Sequence, residues 1–158
     1  GLLLMTDDGA FINMLTHPSG GVGKLYRVTV NPRATAQQII ELSSGVVLDD
    51  GVKTRPCVIH VVVDEPGRSV LEITLHEGRN RQIRRMCSAV GLQVVRLRRS
   101  AEGPVKLGML QPGEYRELKK SEINALRNAA MKSAGKGKRR AASPARSPGP
   151  LKKRTNSD

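Results

Sequence analysis

The sequence has few aromatic residues, with two tyrosines, one phenylalanine and no tryptophan in 158 residues. A protein that holds single strands by stacking successive bases needs a series of aromatic side chains, so a general stacking platform is disfavoured. No apolar run approaches the ~20 residues needed to cross a bilayer. The start of the chain has no basic residue before Asp7 and Asp8, which is unlike a signal peptide. We therefore expect a soluble, cytoplasmic protein without a membrane partner.

Cysteine is also scarce. Cys57 and Cys87 lie far apart in the sequence, without a CxxC spacing or a nearby pair of histidines. This pattern suggests neither a disulfide framework nor a zinc site. We expect two buried or half-buried thiols that act as small apolar side chains in a reducing compartment, and we expect no metal site.

Acidic residues are outnumbered. The chain has 27 Lys and Arg but 14 Asp and Glu, which gives a net charge of +13. Much of this excess lies in residues 129–158, which hold nine basic residues against one acidic residue. Their Ala, Gly, Ser and Pro content cannot bury enough surface to offset the entropy of ordering. We predict a disordered basic tail over 129–158 and one domain with one modest core over 1–128. Such a tail attracts nucleic acid through counterion release; a merely solubilising tail is the alternative.

The first 128 residues alternate short extended stretches with two or three helices. Alternating apolar residues predict strands, and the Pro66-Gly67 step between two of them predicts a hairpin. Thr35, Asn80 and Ser121 are placed to cap helices. Together these patterns predict an α+β fold with a mixed, largely antiparallel sheet. The predicted strands are 24–30, 58–63, 69–76 and 93–98, and the predicted helices are 35–42, 80–90 and one that begins at 121.

Four arginines fall within seven residues where a strand is predicted to lead into a helix. Guanidinium groups bind phosphate and carboxylate bidentately, so this cluster predicts an anion site. On a helix from Asn80, the apolar Ile83, Met86 and Val90 would share one face while the arginines spread over the others. An ordinary solvated basic helix surface is the alternative. The four are Arg79, Arg81, Arg84 and Arg85.

Four stretches in this order are similar to motifs of one enzyme family. They read GLLLMTDDG at 1–9, KLYRV at 24–28, EGRNRQIRRM at 77–86 and GPVKLGMLQPGEYREL at 103–118. They resemble the GRLDxxTxGLLLxTNDG motif, the KxYxV motif, the third motif and the C-terminal segment of bacterial RNA pseudouridine synthases of the RsuA/RluB type. The resemblance extends over about residues 1–126, and it implies the catalytic fold of these enzymes.

The resemblance implies an isomerase that needs no cofactor and no metal. Such an enzyme breaks the N-glycosidic bond of a uridine, turns the base and rejoins it through carbon, with an aspartate as the nucleophile or charge partner. The base must first leave its stack in the folded RNA. The expected partner is ribosomal RNA, the C-terminal pattern favours the large subunit, and we expect a monomer.

The resemblance also implies roles for single residues. Tyr26 matches the tyrosine that stacks on the extruded base and takes part in proton removal. Arg84 matches the arginine that pairs with the aspartate and keeps it ionised. Met86 and Leu97 match apolar positions around the base. The residues expected to contact RNA are Arg79, Asn80, Arg81, Gln82 and Arg85; for Asn80, Arg81 and Gln82 the alternative is that they orient the catalytic loop.

The sequence departs from the family pattern at its front. The aspartate of the GRLD stretch would precede Gly1, and Asp7 and Asp8 align with a turn, so this stretch alone is predicted to be inactive. A non-catalytic RNA-binding or ribosome-associated module is the main alternative, and a GRLD stretch ahead of Gly1 would discriminate against it. A basic structural protein would explain the tail but not the ordered motifs.

Overall fold

The computed structural model describes residues 1–17 and 21–141. Four helices and five strands form an α+β fold. No helix within these residues is long and apolar enough to span a membrane. The elements in chain order are α1 (Gly9–Thr16), β1 (Lys24–Asn31), α2 (Ala36–Ser44), β2 (Val58–Glu65), β3 (Arg68–Leu75), α3 (Gln82–Ala89), β4 (Gln93–Glu102), β5 (Val105–Lys106) and α4 (Lys120–Ala141).

The five strands form one sheet in the order β2-β3-β1-β4-β5, and every neighbouring pair is antiparallel. The predicted hairpin is confirmed as β2 and β3, and Gly67 adopts a positive φ of 82° in the turn between them. That backbone conformation is open to glycine and strained for other residues. The central position of β1 matters most for the site, since it pairs with β3 on one side and β4 on the other.

The predicted helix after β1 is confirmed as α2. Its N-terminus is a capping box, in which the Thr35 hydroxyl accepts from the Gln38 amide and the Gln38 side chain accepts from the Thr35 amide. Two otherwise unpaired donors of the first turn are satisfied in this way. The residues around Thr35 were therefore sufficient to predict where α2 begins.

The first helix, α1, was not predicted. Asp8, which we interpreted as part of a turn, is its N-cap and accepts a 3.0 Å hydrogen bond from the Phe11 amide. Phe11 and Leu15 are buried, one helical turn apart. An aspartate ahead of apolar residues at this spacing is a helix start, and the adjacent Asp7 and Gly9 concealed it.

The buried apolar residues form two clusters rather than the single core that was expected. The larger cluster joins α2 and α3 to one face of β1 and β3, and the smaller one joins α1, β5 and α4. The helices α2 and α3 therefore cover only one face of the sheet. We call this the covered face, and the opposite one the open face.

The last helix passes the boundary that was predicted at residue 129. Helix α4 spans Lys120–Ala141, and Ala130 is 2% exposed within the smaller cluster. The boundary was placed too early because a small alanine fits against Phe11 and Leu126, where composition alone indicated no packing. Residues 142–158 of the predicted tail lie outside the described residues.

Candidate active site

Tyr26 lies in the middle of the central strand. It is half-buried, pairs across the sheet with Ile73 of β3 and Arg99 of β4, and packs at the margin of the larger cluster. Side chains alternate between the faces of a strand, so Tyr26 shares the covered face with Val28 and Val30. The ring is thus supported from below by the core while part of it remains accessible.

The two predicted pocket residues lie beside this tyrosine. Leu97 of β4 pairs with Val28, and like Tyr26 it packs against the larger cluster. Met86 of α3 belongs to that cluster and is 1% exposed. The fold therefore brings Tyr26, Met86 and Leu97 together around one cluster, although the sequence separates them widely.

Arg84 is fixed to the sheet. It projects from α3, and its Nη1 donates a 3.1 Å hydrogen bond to the carbonyl oxygen of Val94 in β4. A guanidinium has five N–H donors, so this bond orients the group and leaves further donors for an anion. This hydrogen bond to the backbone carbonyl of Val94 holds the Arg84 side chain against β4.

A buried carboxamide organises the loop before α3. Gln82 is 4% exposed, accepts a 3.0 Å bond from the Arg79 amide, and donates a 2.6 Å bond to Glu77. Glu77 also accepts from the Arg55 amide at 2.9 Å and pairs with the Arg79 guanidinium at 3.5 Å. Gln82 therefore holds this loop together, which fits the alternative that it orients the catalytic loop. Glu77, which the sequence analysis did not single out, is the centre of the network.

The start of α3 differs from the prediction. Arg81, not Asn80, is the residue at the cap position, and it has left-handed dihedrals of φ 48° and ψ 32°. Such a conformation is uncommon for a residue with a side chain and is found mainly where surrounding structure imposes it. Both side chains are exposed at this corner, so Asn80 and Arg81 remain available to a ligand.

Arg85 is engaged within the protein. Its Nε donates to Asp49 at 2.6 Å, and its Nη2 pairs with Asp49 and with Asp50, the latter at 2.7 Å. The hydrogen bond from Arg85 lowers the pKa of the Asp50 carboxyl, and the same bonds raise the pKa of Arg85. This pairing ties α3 to the turn after α2, so Arg85 is already paired where RNA contact was predicted.

The two thiols are as expected. Cys57 is half-buried and Cys87 is buried, and burial raises the pKa of the Cys57 thiol to about 11 and that of Cys87 to about 12. Both therefore stay protonated at neutral pH and are poor nucleophiles. Among the described residues, no group of three or more His, Cys, Asp and Glu side chains is arranged to hold a metal ion.

Comparisons with known proteins agree on one family. A family model described as RNA pseudouridylate synthase matches residues 1–89. The chain is 39% identical over 126 residues to an uncharacterized RNA pseudouridine synthase of Aquifex aeolicus, covering 80% of this chain and 50% of that protein. It is 38% identical over 132 residues to ribosomal large subunit pseudouridine synthase B of Bacillus subtilis, covering 82% and 54%.

A further relative and a solved structure extend this likeness. The chain is 40% identical over 131 residues to ribosomal large subunit pseudouridine synthase E of Xanthomonas campestris, covering 73% of this chain and 70% of that protein. A crystal structure of a pseudouridylate synthase superposes with a TM-score of 0.71 at 33% identity, covering 77% of this chain and 52% of that one. The expected fold class is thereby confirmed. The chain spans about half the length of the first relatives it matches.

Proposed function

The chain belongs to the RNA pseudouridylate synthase family, and from this premise we propose that it supplies part of the catalytic domain of an enzyme that isomerises uridine to pseudouridine in ribosomal RNA. The observation that carries the proposal is the arrangement on the covered face. Tyr26 and Leu97 pack there against the cluster of Met86, and Arg84 on the same helix is fixed to the adjacent strand. These are the four residues to which the family resemblance gives catalytic and pocket roles.

The supported ring of Tyr26 suits a base that has left its stack. Unstacking costs a few kcal/mol, and an aromatic surface returns part of it by stacking on the base. Because the ring is half-buried at the margin of the core, it is held in one orientation while one side stays open. We propose that the uracil stacks on this ring and that the phenol assists removal of the proton from the carbon that forms the new bond.

Arg84 suits a carboxylate partner. Its contact with the Val94 carbonyl sets the plane of the guanidinium, and the remaining donors form the fork that binds carboxylates bidentately. A positive charge within a few ångströms favours the ionised form of an aspartate and so keeps it ready as a nucleophile. We propose that this aspartate belongs to the GRLD stretch of the family motif, upstream of the residue that matches Gly1.

Asp8, one of the two aspartates near the start of the chain, already has a structural role. Asp8 caps α1 through the Phe11 amide, and its other oxygen pairs with Arg127 at 3.7 Å. Withdrawing Asp8 for catalysis would uncap the helix that carries Phe11 and Leu15 into the smaller cluster. This structural role supports assigning the nucleophile to the GRLD aspartate.

The substrate proposal is large-subunit ribosomal RNA. Two of the relatives are named as ribosomal large subunit pseudouridine synthases, and the segment 103–118 follows the pattern that favoured this assignment. Asn80 and Arg81 are exposed in the loop directly before α3, so we propose that they contact the RNA around the target uridine. The chain is proposed to act as a monomer.

The test requires a longer chain in which a GRLD stretch precedes Gly1. It should form pseudouridine in large-subunit RNA, measured by mass spectrometry, and Arg84→Ala should lower kcat by at least ~100-fold because an oriented charge partner is lost. Tyr26→Phe should lower kcat by about 100-fold through loss of the phenol proton. Arg84→Lys should restore part of the rate by keeping the charge.

The matched control is Arg33→Ala, because Arg33 pairs with Asp64 on the hairpin surface and has no role in the proposed site. Its kcat should stay within about twofold of the parent rate. If the longer chain binds RNA tightly but never forms pseudouridine, the non-catalytic RNA-binding module becomes the better account.

A further inference from the structure

The open face of the sheet is the floor of a large cleft. The cleft has a volume of about 1630 Å³, and the segments 1–6, 105–107 and 110–118 contribute to its walls. Arg27 of β1 and Arg96 and Arg98 of β4 lie on this floor, since Tyr26 and Val28 point to the covered face. The cleft and the side chain of Tyr26 are therefore on opposite sides of the same two strands.

Two of the arginines on the floor lie directly opposite each other. Arg27 and Arg98 are direct partners in the β1–β4 ladder, and like charges in that position destabilise a sheet. Glu72 approaches Arg27 at 3.7 Å. No hydrogen bond or ion pair joins the guanidinium of Arg96 or Arg98 to another residue in 1–17 or 21–141. The floor thus carries positive charge that an external anion would compensate.

Two cationic side chains that line the cleft outside the floor already have partners. Arg116 pairs with Glu122 at 2.7 Å, and Arg127 pairs with Asp8 and also lies 5.5 Å from the centre of the Phe11 ring. Among the described residues that line the cleft, Arg96 and Arg98 on the floor and Lys106 on the wall are left without a carboxylate partner. A long, narrow polyanion fits such a groove better than a compact one.

An aromatic side chain stands at the rim. Tyr115 lines the cleft and is 92% exposed, whereas Phe11 is buried and Tyr26 is half-buried. Proteins hold single-stranded nucleic acid by combining a basic groove for the phosphates with aromatic side chains on which bases stack. This cleft combines a basic floor with one such aromatic side chain, which suits stacking of a single base rather than of successive bases.

We propose that the open-face cleft binds single-stranded RNA, with Arg27, Arg96 and Arg98 contacting phosphates and Tyr115 stacking on one base. The choice of RNA as the polyanion rests on the proposed function; the site itself is separate from the Tyr26 pocket. A covering polypeptide would have to bring a carboxylate to each unpaired arginine, because a buried unpaired charge is costly. RNA provides one phosphate with every nucleotide.

The probe is a fluorescent oligoadenylate of about 12 nucleotides, long enough for a single site and free of uridine. Anisotropy titrations with the whole chain should give about tenfold weaker binding for Arg96→Ala/Arg98→Ala, and the slope of log Kd against log salt should fall by about 1.4 for two lost phosphate contacts. The control Lys53→Ala/Lys132→Ala removes the same charge from exposed positions outside the cleft. It should change Kd by less than about twofold.

A second pair of variants separates stacking from charge. Tyr115→Ala should weaken binding about tenfold at an unchanged salt slope, and Tyr115→Phe should bind like the parent chain, because the stacking surface is kept. Equal binding by the Arg96/Arg98 variant and the lysine control overturns the proposal. Since the probe has no uridine, a failure of pseudouridine formation in the longer chain leaves this result untouched.

Discussion

Arginine has two different uses on the two faces of the sheet. On the covered side, Arg84, Arg85 and Arg99 each bind a carbonyl or a carboxylate of the protein and hold one element to another. On the open face, Arg96 and Arg98 have no such partner among the described residues, and Arg98 is placed opposite Arg27. The comparison teaches that arginine count alone does not locate an anion site, because the partner decides whether a guanidinium is structural or available.

The largest effect should come from the core of the covered face. Met86→Ala removes a side chain that is 1% exposed and leaves a cavity beneath the Tyr26 pocket. We expect the free energy of unfolding in urea to fall by about 2–5 kcal/mol. The control is Met109→Ala, because Met109 is 89% exposed in the segment that borders the open face. It should change stability by less than ~0.5 kcal/mol, and equal losses for the two would contradict the assignment of the core.

A smaller effect should follow from the buried carboxamide. Gln82→Ala leaves the Arg79 amide and the Glu77 carboxylate without their partner in the loop before α3. The expected loss of stability is about 1–3 kcal/mol by urea denaturation. Gln37→Ala is the matched control, since Gln37 is exposed on α2 and, among the described residues, its side chain bonds to Glu41. That change should cost about 0.2–0.5 kcal/mol.

Replacing two adjacent arginines should change the free energy of unfolding in opposite directions. Arg98→Ala removes the repulsion with Arg27 on the open face and should raise the free energy of unfolding by about 0.2–1 kcal/mol. Arg99→Ala should lower it by ~1 kcal/mol, because Arg99 donates to the Leu2 carbonyl at 2.7 Å and pairs with Glu102 at 3.7 Å. Denaturation at low and high salt measures both. A loss of stability in Arg98→Ala would contradict the account of the open face.

The smallest effect concerns the wall of the cleft. The hydrogen bond from Arg116 lowers the pKa of the Glu122 carboxyl from 4.5 to about 2. Because the folded pKa is depressed, this pairing stabilises the start of α4 fully above pH 4.5, and the contribution is lost as the pH falls towards 2. An NMR titration of the Glu122 carboxyl carbon should show the low midpoint. Arg116→Ala should move it back towards 4.5, and Arg127→Ala should leave it unchanged.

Local patterns in the sequence predicted much of the fold. The alternation in β1, the Pro66-Gly67 turn and the Thr35 cap each act over a few residues, and each was confirmed. The start of α1 was also local, yet two adjacent acidic residues before a glycine concealed it. The end of the folded part was placed too early because the burial of Ala130 depends on α1, which is remote in sequence.

The candidate site was predicted less completely, because it depends on partners. The family motif named Tyr26, Arg84, Met86 and Leu97, and their roles stay a proposal that the fold supports by bringing them to one face. The same motif gave five residues for RNA, of which Gln82 is buried and Arg85 is paired with Asp49 and Asp50. Their partners lie on other segments of the chain, so no local pattern revealed them.

The sequence by itself determined the family, the order of β1 to β4 along the chain and the alternation that assigns Arg96 and Arg98 to one side of a strand. Only the tertiary structure decided that Arg98 faces Arg27, because strand register joins residues 71 positions apart and depends on the whole sheet. It also decided which face α2 and α3 cover. The sequence gives each arginine its charge. Whether an opposite charge neutralises it depends on which residues folding brings within about 4 Å of it.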